Sequence, residues 1–438
     1  MAPGISAPGE AQTTTQTNDD RPVLYAKVNQ DELQAKTSRY LLNFGTKFNK
    51  DVICASKGLY VYTASGHKVL DFTSGQMSCL LGHGHPEIVK TITDHAASLD
   101  HLFSGMVSPP VISLGERLCN LLPAGLDKAF FLSTGGESNE AAIKMAKVYT
   151  GKFEIVGLGA SWHGVTAQAL GAQYHFGRKG QGPLMPGMLM LPHQTHIDQS
   201  SGVRTDLTTG KRRWRMHVLP PGYLHALKRE CEKRDMLLIV DEAQTGVGRC
   251  GDLMAIDHES VVPDILTLSK TLGNGLPLSA VVTNAEIERV CAQRDYCFYT
   301  THVNDPLPAA VGDKVLEIVV RDGLVAHSRA IGQILHDSLN TLKEKYGCIG
   351  DVRGRGLMAG IEIVEDRETK TPALALGKAI GDRAYELGLW ANLSSHPSFG
   401  GAFRIAPPIT ITEQELLCGL EILEEAFATT PGTLPVRV

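Results

Sequence analysis

At 438 residues, with 43% hydrophobic and 20% charged residues and a formal net charge of −5, the chain has the make-up of an ordinary globular protein with more than one packed unit. The small negative balance, with no basic stripe interleaved by aromatics, argues against nucleic acid and for a small-molecule substrate. No apolar run approaches the ~20 residues that span a bilayer, and nine cysteines without a C-x-x-C pair read as reduced thiols of a cytosolic protein.

The first twenty residues are rich in Thr, Gln, Pro and Gly and carry Glu10, Asp19 and Asp20 but no Lys or Arg. That is neither a signal nor a transit peptide, and residues 1–21 are expected to be a disordered tail. Residues 58–72 read as a hairpin closed by Ala64-Ser65-Gly66-His67. From about Pro86 to about Val320 strand and helix patterns alternate, as in strand 129–132 before helix 138–148 and strand 153–158 before the Trp162 loop. Alternation of this kind predicts an α/β fold with a mostly parallel central sheet, helices on both faces, and ligands beyond the carboxyl ends of the strands. A large domain over residues 76–321 is expected, with a smaller α+β domain assembled from 22–75 and 322–438. The smaller one carries helical patterns at 332–345 and 412–428 and strand patterns at 358–364 and 403–405.

Within that frame, Ser133-Thr134-Gly135-Gly136-Glu137-Ser138-Asn139 joins a strand to an amphipathic helix. It is a plausible phosphate cradle, since glycines let backbone amides approach an anion at a helix N-terminus; a plain strand-to-helix turn is the alternative. Residues 193–216 are polar, rich in Gly and Thr, and end in Lys211-Arg212-Arg213-Trp214-Arg215, which reads as a solvated loop. Two apolar runs then deliver charged residues at their ends: Met236-Leu237-Leu238-Ile239-Val240 before Asp241, and Ile265-Leu266-Thr267-Leu268-Ser269 before Lys270. Two strands of one sheet would bring Asp241 and Lys270 to one edge. A lysine in a partly apolar pocket has a lowered pKa and can attack a carbonyl to form a Schiff base. A carboxylate beside a pyridine nitrogen keeps that nitrogen protonated.

Trp162 could stack on a planar ring, although a lone tryptophan is more often core packing. Arg404 lies among apolar and small residues and needs either a structural or a substrate carboxylate, the structural partner being the commoner outcome for an isolated arginine. His83, His85 and His163 have Gly and Pro neighbours that look like turns rather than metal ligands.

Together these segments resemble the subgroup III pyridoxal phosphate aminotransferases of fold type I, and within them the 2,2-dialkylglycine decarboxylase family. The strings that carry the likeness are Asp71-Phe72-Thr73-Ser74-Gly75-Gln76-Met77-Ser78, Leu132-Ser133-Thr134-Gly135-Gly136-Glu137-Ser138-Asn139-Glu140, Ser161-Trp162-His163-Gly164, Asp241-Glu242-Ala243-Gln244-Thr245-Gly246 and Thr300-Thr301-His302-Val303. The resemblance implies that Lys270 is the Schiff-base lysine and proton carrier. It implies that Asp241 pairs with the pyridine nitrogen, Gln244 bonds the phenolic oxygen, Trp162 stacks on the ring and Arg404 binds the substrate carboxylate. Thr134, Gly135 and Gly136 would hold the phosphate, with Thr301 supplied by the second subunit of a homodimer, or of a dimer of dimers. Gln76 would hold the leaving carboxylate, so that decarboxylation of a dialkyl amino acid gives a ketone and pyruvate restores the cofactor. An alkali-metal site for potassium is implied at Leu102, Ser104, Thr301, Val303 and Asp305.

Three functional readings follow: a decarboxylating transaminase, a simple ω-aminotransferase in which Gln76 only lines the pocket, and a catalytically silent dimeric homologue. The last arises from a departure. Where the family has an apolar strand ending in Glu-Pro, this chain runs from Leu191-Pro192 through the polar stretch to His217-Val218-Leu219-Pro220-Pro221-Gly222-Tyr223. Loss of that strand predicts unpaired backbone groups and a gap in the sheet.

Overall fold

The computed structural model describes residues 28–45, 48–159, 161–173, 182–183, 185–191, 218–393 and 401–433. The tail expected at 1–21 and the polar stretch at 193–216 lie outside the described residues.

The hairpin forms as the sequence indicates, Tyr60–Thr63 pairing antiparallel with Lys68–Asp71. Ile53–Lys57 extends it on one side, and the short strand Leu389–Trp390 joins Lys68–Asp71 in parallel on the other. A second sheet has the spatial order Ile349–Arg355, Met358–Asp366, Ala402–Ile405, Asn392–Leu393. Helices Leu324–Lys345, Leu374–Glu386 and Glu413–Thr429 pack against these strands and each other. Arg404 thus sits within a paired strand, opposite Gly360.

The larger sheet has the order Lys128–Leu132, Ser279–Thr283, Ile265–Leu268, Ile239–Asp241. Its two middle strands are buried at every position, which is why they read as unbroken apolar runs rather than as alternation. Ile239–Asp241 and Ile265–Leu268 are parallel, with Asp241 opposite Thr267, so Asp241 and Lys270 emerge at the same edge. Ser279–Thr283 runs antiparallel to both its neighbours because the short connection from Ser269 to Leu278 cannot make a parallel crossover. Helix Gly135–Thr150 starts earlier than its periodicity suggests. A capping box does this: the Thr134 hydroxyl accepts from the Glu137 amide while Glu137 Oε2 accepts from the Ser133 and Thr134 amides, each at 3.0 Å.

Beyond Ile239–Asp241 the sheet stops. Strand Ile155–Leu158 pairs in parallel only with Met188–Leu191, and among the described residues no strand joins it to Ile239–Asp241. Between the two edges lies a cavity of about 880 Å³, lined by Ile155, Val156 and Leu158 and by Leu238, Ile239 and Val240. Leu191 and Val218, which flank residues 192–217, line it too. It lies where the sequence predicts a gap, beside residues 192–217, which lie outside the described residues. A closed apolar void of that size, at about 24 cal/mol per Å³, would outweigh the ~5–15 kcal/mol that holds a domain together. The outer pair of strands is instead partly in water, with Val156, Leu189 and Met190 41%, 52% and 52% exposed.

No helix among the described residues is long and apolar enough to cross a membrane, and all nine cysteines are free thiols.

Candidate active site

Asp241 ends its strand with both oxygens engaged. Oδ1 accepts the Ala243 amide at 3.0 Å, and Oδ2 accepts Asn139 Nδ2 and meets His163 Nδ1, both at 2.9 Å. Asn139 is itself fixed: its Nδ2 also donates to the His163 carbonyl and its Oδ1 accepts from the Thr267 hydroxyl. Burial pushes the Asp241 carboxyl up, but the His163 hydrogen bond and charge, the Ala243 amide and Asn139 more than offset it, and the carboxyl is held below its usual range. It is therefore a buried carboxylate ready to meet a cation or a protonated nitrogen.

Lys270 is largely buried at the end of Ile265–Leu268. Burial pulls its ammonium below the usual lysine range; the Asp241 carboxylate opposes that, and the Arg404 guanidinium adds to it. An amine so placed is free to attack a carbonyl at neutral pH more often than a surface lysine.

Beside it, the capping box leaves a defined set of donors. Glu137 occupies the Ser133 and Thr134 amides and Thr134 occupies that of Glu137, so the amides of Gly135 and Gly136 remain without an acceptor among the described residues. A Cβ on Gly135 would stand 2.8 Å from Ser269 Oγ, and one on Gly164 would stand 2.7 Å from Gly136 Cα. Only glycines fit this pocket at a helix N-terminus, which suits a phosphate. The donor amides, the buried lysine and the buried carboxylate together fit a group that carries a phosphate, an aldehyde and a ring nitrogen.

Arg404 and Gln244 touch, Arg404 Nη1 donating to Gln244 Oε1 at 3.3 Å. Burial lowers the Arg404 pKa, and among the described residues no carboxylate pairs with it. The structural partner that an isolated arginine commonly has is not there, which leaves its charge for an anionic ligand. Trp162 is about half exposed, next to His163. Gln76 is exposed in a short turn, Ser74–Met77, that abuts the Lys270 loop: Ser78 Oγ donates to the Lys270 carbonyl at 3.1 Å.

The loops around residues 100–105 and 300–305 also come together. Ser104 Oγ donates to the Thr300 carbonyl at 2.9 Å. Asp305 precedes helix Pro306–Arg321 but does not cap it; its two oxygens instead meet His101 Nδ1 at 2.5 Å and His302 Nδ1 at 2.6 Å. Leu102, Ser104, Thr301, Val303 and Asp305 thus share one neighbourhood, while no described contact ties Thr301 to the Gly135–Gly136 pocket of its own chain.

Sequence reasoning missed His163 and Asn139 as partners of Asp241, and His101 and His302 as partners of Asp305. His163 was visible only as a turn residue. Asn139 and His101 are separated from their partners by 102 and 204 residues, beyond the reach of local pattern, whereas His302 lies three residues before Asp305, a local spacing that could have been read.

Comparison with known proteins agrees with this geometry. Residues 47–209 and 216–427 match the family described as aminotransferase class-III. An uncharacterized aminotransferase of Schizosaccharomyces pombe is 46% identical over 426 residues, covering 90% of this chain and 94% of the relative. An acetylornithine aminotransferase of Caldanaerobacter subterraneus is 32% identical, covering 86% and 94%. Among solved structures, an (S)-enantioselective ω-transaminase from Thermomicrobium roseum superposes with a TM-score of 0.83 at 27% identity, covering 92% of this chain and 99% of that one.

Proposed function

The chain belongs to the class-III aminotransferases, which use pyridoxal phosphate, and we propose that within them it is a decarboxylating transaminase of 2,2-dialkylglycines such as 2-aminoisobutyrate. Pyruvate is the amino acceptor, and the products are a ketone, CO2 and alanine. The observation that carries this reading is the amide side chain of Gln76, on a turn hydrogen-bonded to the Lys270 loop.

Bound in this site, the cofactor supplies a protonated ring that accepts the electron pair left when a bond to the substrate α-carbon breaks. Every other task falls to the chain. The Gly135 and Gly136 amides, with Thr134, would hold the phosphate; Asp241 would keep the ring nitrogen protonated; Trp162 would cover the ring and Gln244 would bond its oxygen. Lys270 would hold the aldehyde carbon and would carry the proton to and from the substrate. Arg404 would grip the carboxylate of pyruvate in the amino-transfer half of the reaction. Gln76 would hold the single carboxylate of the dialkylglycine, the group that leaves as CO2 because the α-carbon bears no hydrogen.

A second copy of the chain completes the site in this reading. The apolar side chains of Phe103, Met106, Val107 and Tyr299 are exposed around the Thr301 loop, and a homodimer would cover them and bring Thr301 to the partner's phosphate. Potassium at Leu102, Ser104, Thr301, Val303 and Asp305 belongs to the same reading, with the Asp305 carboxylate, which here meets His101 and His302, as its one charged ligand. Activity retained in KCl and lost in LiCl would test it.

The deciding experiment is to mix the purified enzyme with 2-aminoisobutyrate and pyruvate. Acetone, CO2 and alanine in equal amounts are expected. Alanine formed from another amine donor, with no CO2 from 2-aminoisobutyrate, would instead establish the ordinary ω-aminotransferase, which the transaminase relatives favour. The cleft beside Asp241 motivates a catalytically silent homologue, and a cofactor absorbance band that Lys270→Ala abolishes would exclude it.

A further inference from the structure

Residues 74–77 hold a backbone that their side chains oppose. Ser74, Gly75, Gln76 and Met77 have φ of 47°, 51°, 70° and 68°, a continuous left-handed turn in which only one residue is glycine. Side chains with a Cβ disfavour this region, and such a run persists only where its surroundings over-determine it.

Those surroundings converge on one buried carboxylate. Asp71 Oδ1 accepts the Thr73 amide at 2.8 Å and the Thr73 hydroxyl at 2.5 Å. Its Oδ2 accepts the Gly75 amide at 2.7 Å and meets His83 Nε2 at 3.0 Å. Both oxygens are therefore fully used. His83 closes the space beneath the turn: a Cβ on Gly75 would lie 3.4 Å from its ring and 3.3 Å from Cys79 Sγ. Burial alone would lower the His83 pKa, but Asp71 and Cys79 push it up to about 10, so at neutral pH an imidazolium faces the carboxylate. Two further bonds fix the ends of the turn, from Ser74 Oγ to the Ala406 carbonyl and from Ser78 Oγ to that of Lys270.

We infer that Asp71, oriented by His83, is a positioning residue for the choice of bond broken: it holds the left-handed turn that presents Gln76 beside the Lys270 loop. Neither side chain touches the substrate. The inference rests on the reading of Gln76 given above. It goes beyond that reading in assigning reaction choice to a carboxylate and a histidine beneath the turn.

The test uses the holoenzyme and four variants: Gln76→Ala, Asp71→Asn, His83→Gln and the double variant Asp71→Asn/Gln76→Ala. Two quantities are measured, hydrogen exchange of the amides of residues 73–77 and the ratio of CO2 release from 2-aminoisobutyrate to amino transfer from L-alanine. Asp71→Asn and His83→Gln are expected to exchange at least ~10-fold faster and to lower the ratio at least ~10-fold, toward that of Gln76→Ala. The double variant should fall no further than Gln76→Ala alone. If Asp71→Asn does not fold, His83→Gln carries the test by itself. Unchanged exchange, or both rates falling together with the ratio kept, overturns the inference. A wild-type ratio in Gln76→Ala overturns the reading of Gln76 and with it the specificity role; faster exchange in Asp71→Asn then marks the reading, not the positioning, as the failure.

Discussion

The two sides of strand Ile239–Asp241 are built from similar apolar runs and end in different states. On one side Ile265–Leu268 and Ser279–Thr283 are paired along both edges and buried throughout. On the other, Ile155–Leu158 and Met188–Leu191 stand apart across an 880 Å³ cavity, with only one position of the eight fully buried. The chemistry follows the intact side, since Lys270 leaves a strand with neighbours on both edges. Asp241 sits on the boundary. With no second strand beside it among the described residues, it is fixed by side chains, through Asn139 from helix Gly135–Thr150 and His163 from the loop after Ile155–Leu158. A sheet edge can thus stay in register at a functional position when cross-links from side chains replace part of the missing ladder.

The largest expected effect lies on the intact side. Lys270→Ala should lower amino-transfer kcat/KM by about 10³-fold or more and remove the visible band of the bound cofactor; an unaltered spectrum would sink the assignment of Lys270. Next comes the boundary. Asp241→Asn should reduce kcat about 10²–10³-fold if the side-chain supports hold the carboxylate in place. A loss of less than threefold would mean that the cleft has already displaced it.

Packing provides a direct contrast between the two sides. Ala280, on Ser279–Thr283, is fully buried in the paired half of the sheet, and Ala280→Leu should destabilise by about 1–3 kcal/mol. Ala146 lines the cavity, and Ala146→Leu should be neutral or stabilise by up to about 1 kcal/mol. Equal losses in thermal unfolding would show the cleft to be as tightly filled as the intact half.

The smallest effect is in pH dependence. Because the Asp241 carboxyl is depressed in the fold, its pairing contributes stability above the unfolded value of 3.8 and loses it as pH falls through the folded value. His163→Ala removes the chief group that depresses it. The acid limb of log kcat/KM should therefore move to higher pH, with no more than about a tenfold loss at pH 8. An acid limb that stays in place would show that Ala243 and Asn139 suffice.

The elements that rest on local periodicity were legible before any tertiary contact was known. Apolar runs marked Ile239–Asp241 and Ile265–Leu268, and their shared direction put Asp241 and Lys270 at one edge. Serine, threonine and glycine between strand and helix marked the pocket at Gly135 and Gly136. The break after Leu191 pointed to a gap beyond Ile239–Asp241, where no further strand is found among the described residues.

Tertiary structure alone decided what joins distant residues. The Asp241–His163–Asn139 cluster, the absence of a described carboxylate at Arg404, and the meeting of His101 with Asp305 depend on which loops the fold brings together. The left-handed turn at Ser74–Met77 is the clearest case. A sequence with one glycine in four gives no local reason for it, and Asp71, His83 and the carbonyls of Ala406 and Lys270 hold it from outside. Local propensity is a property of a few consecutive residues; a conformation opposed by propensity survives only through contacts that exist once the chain has folded.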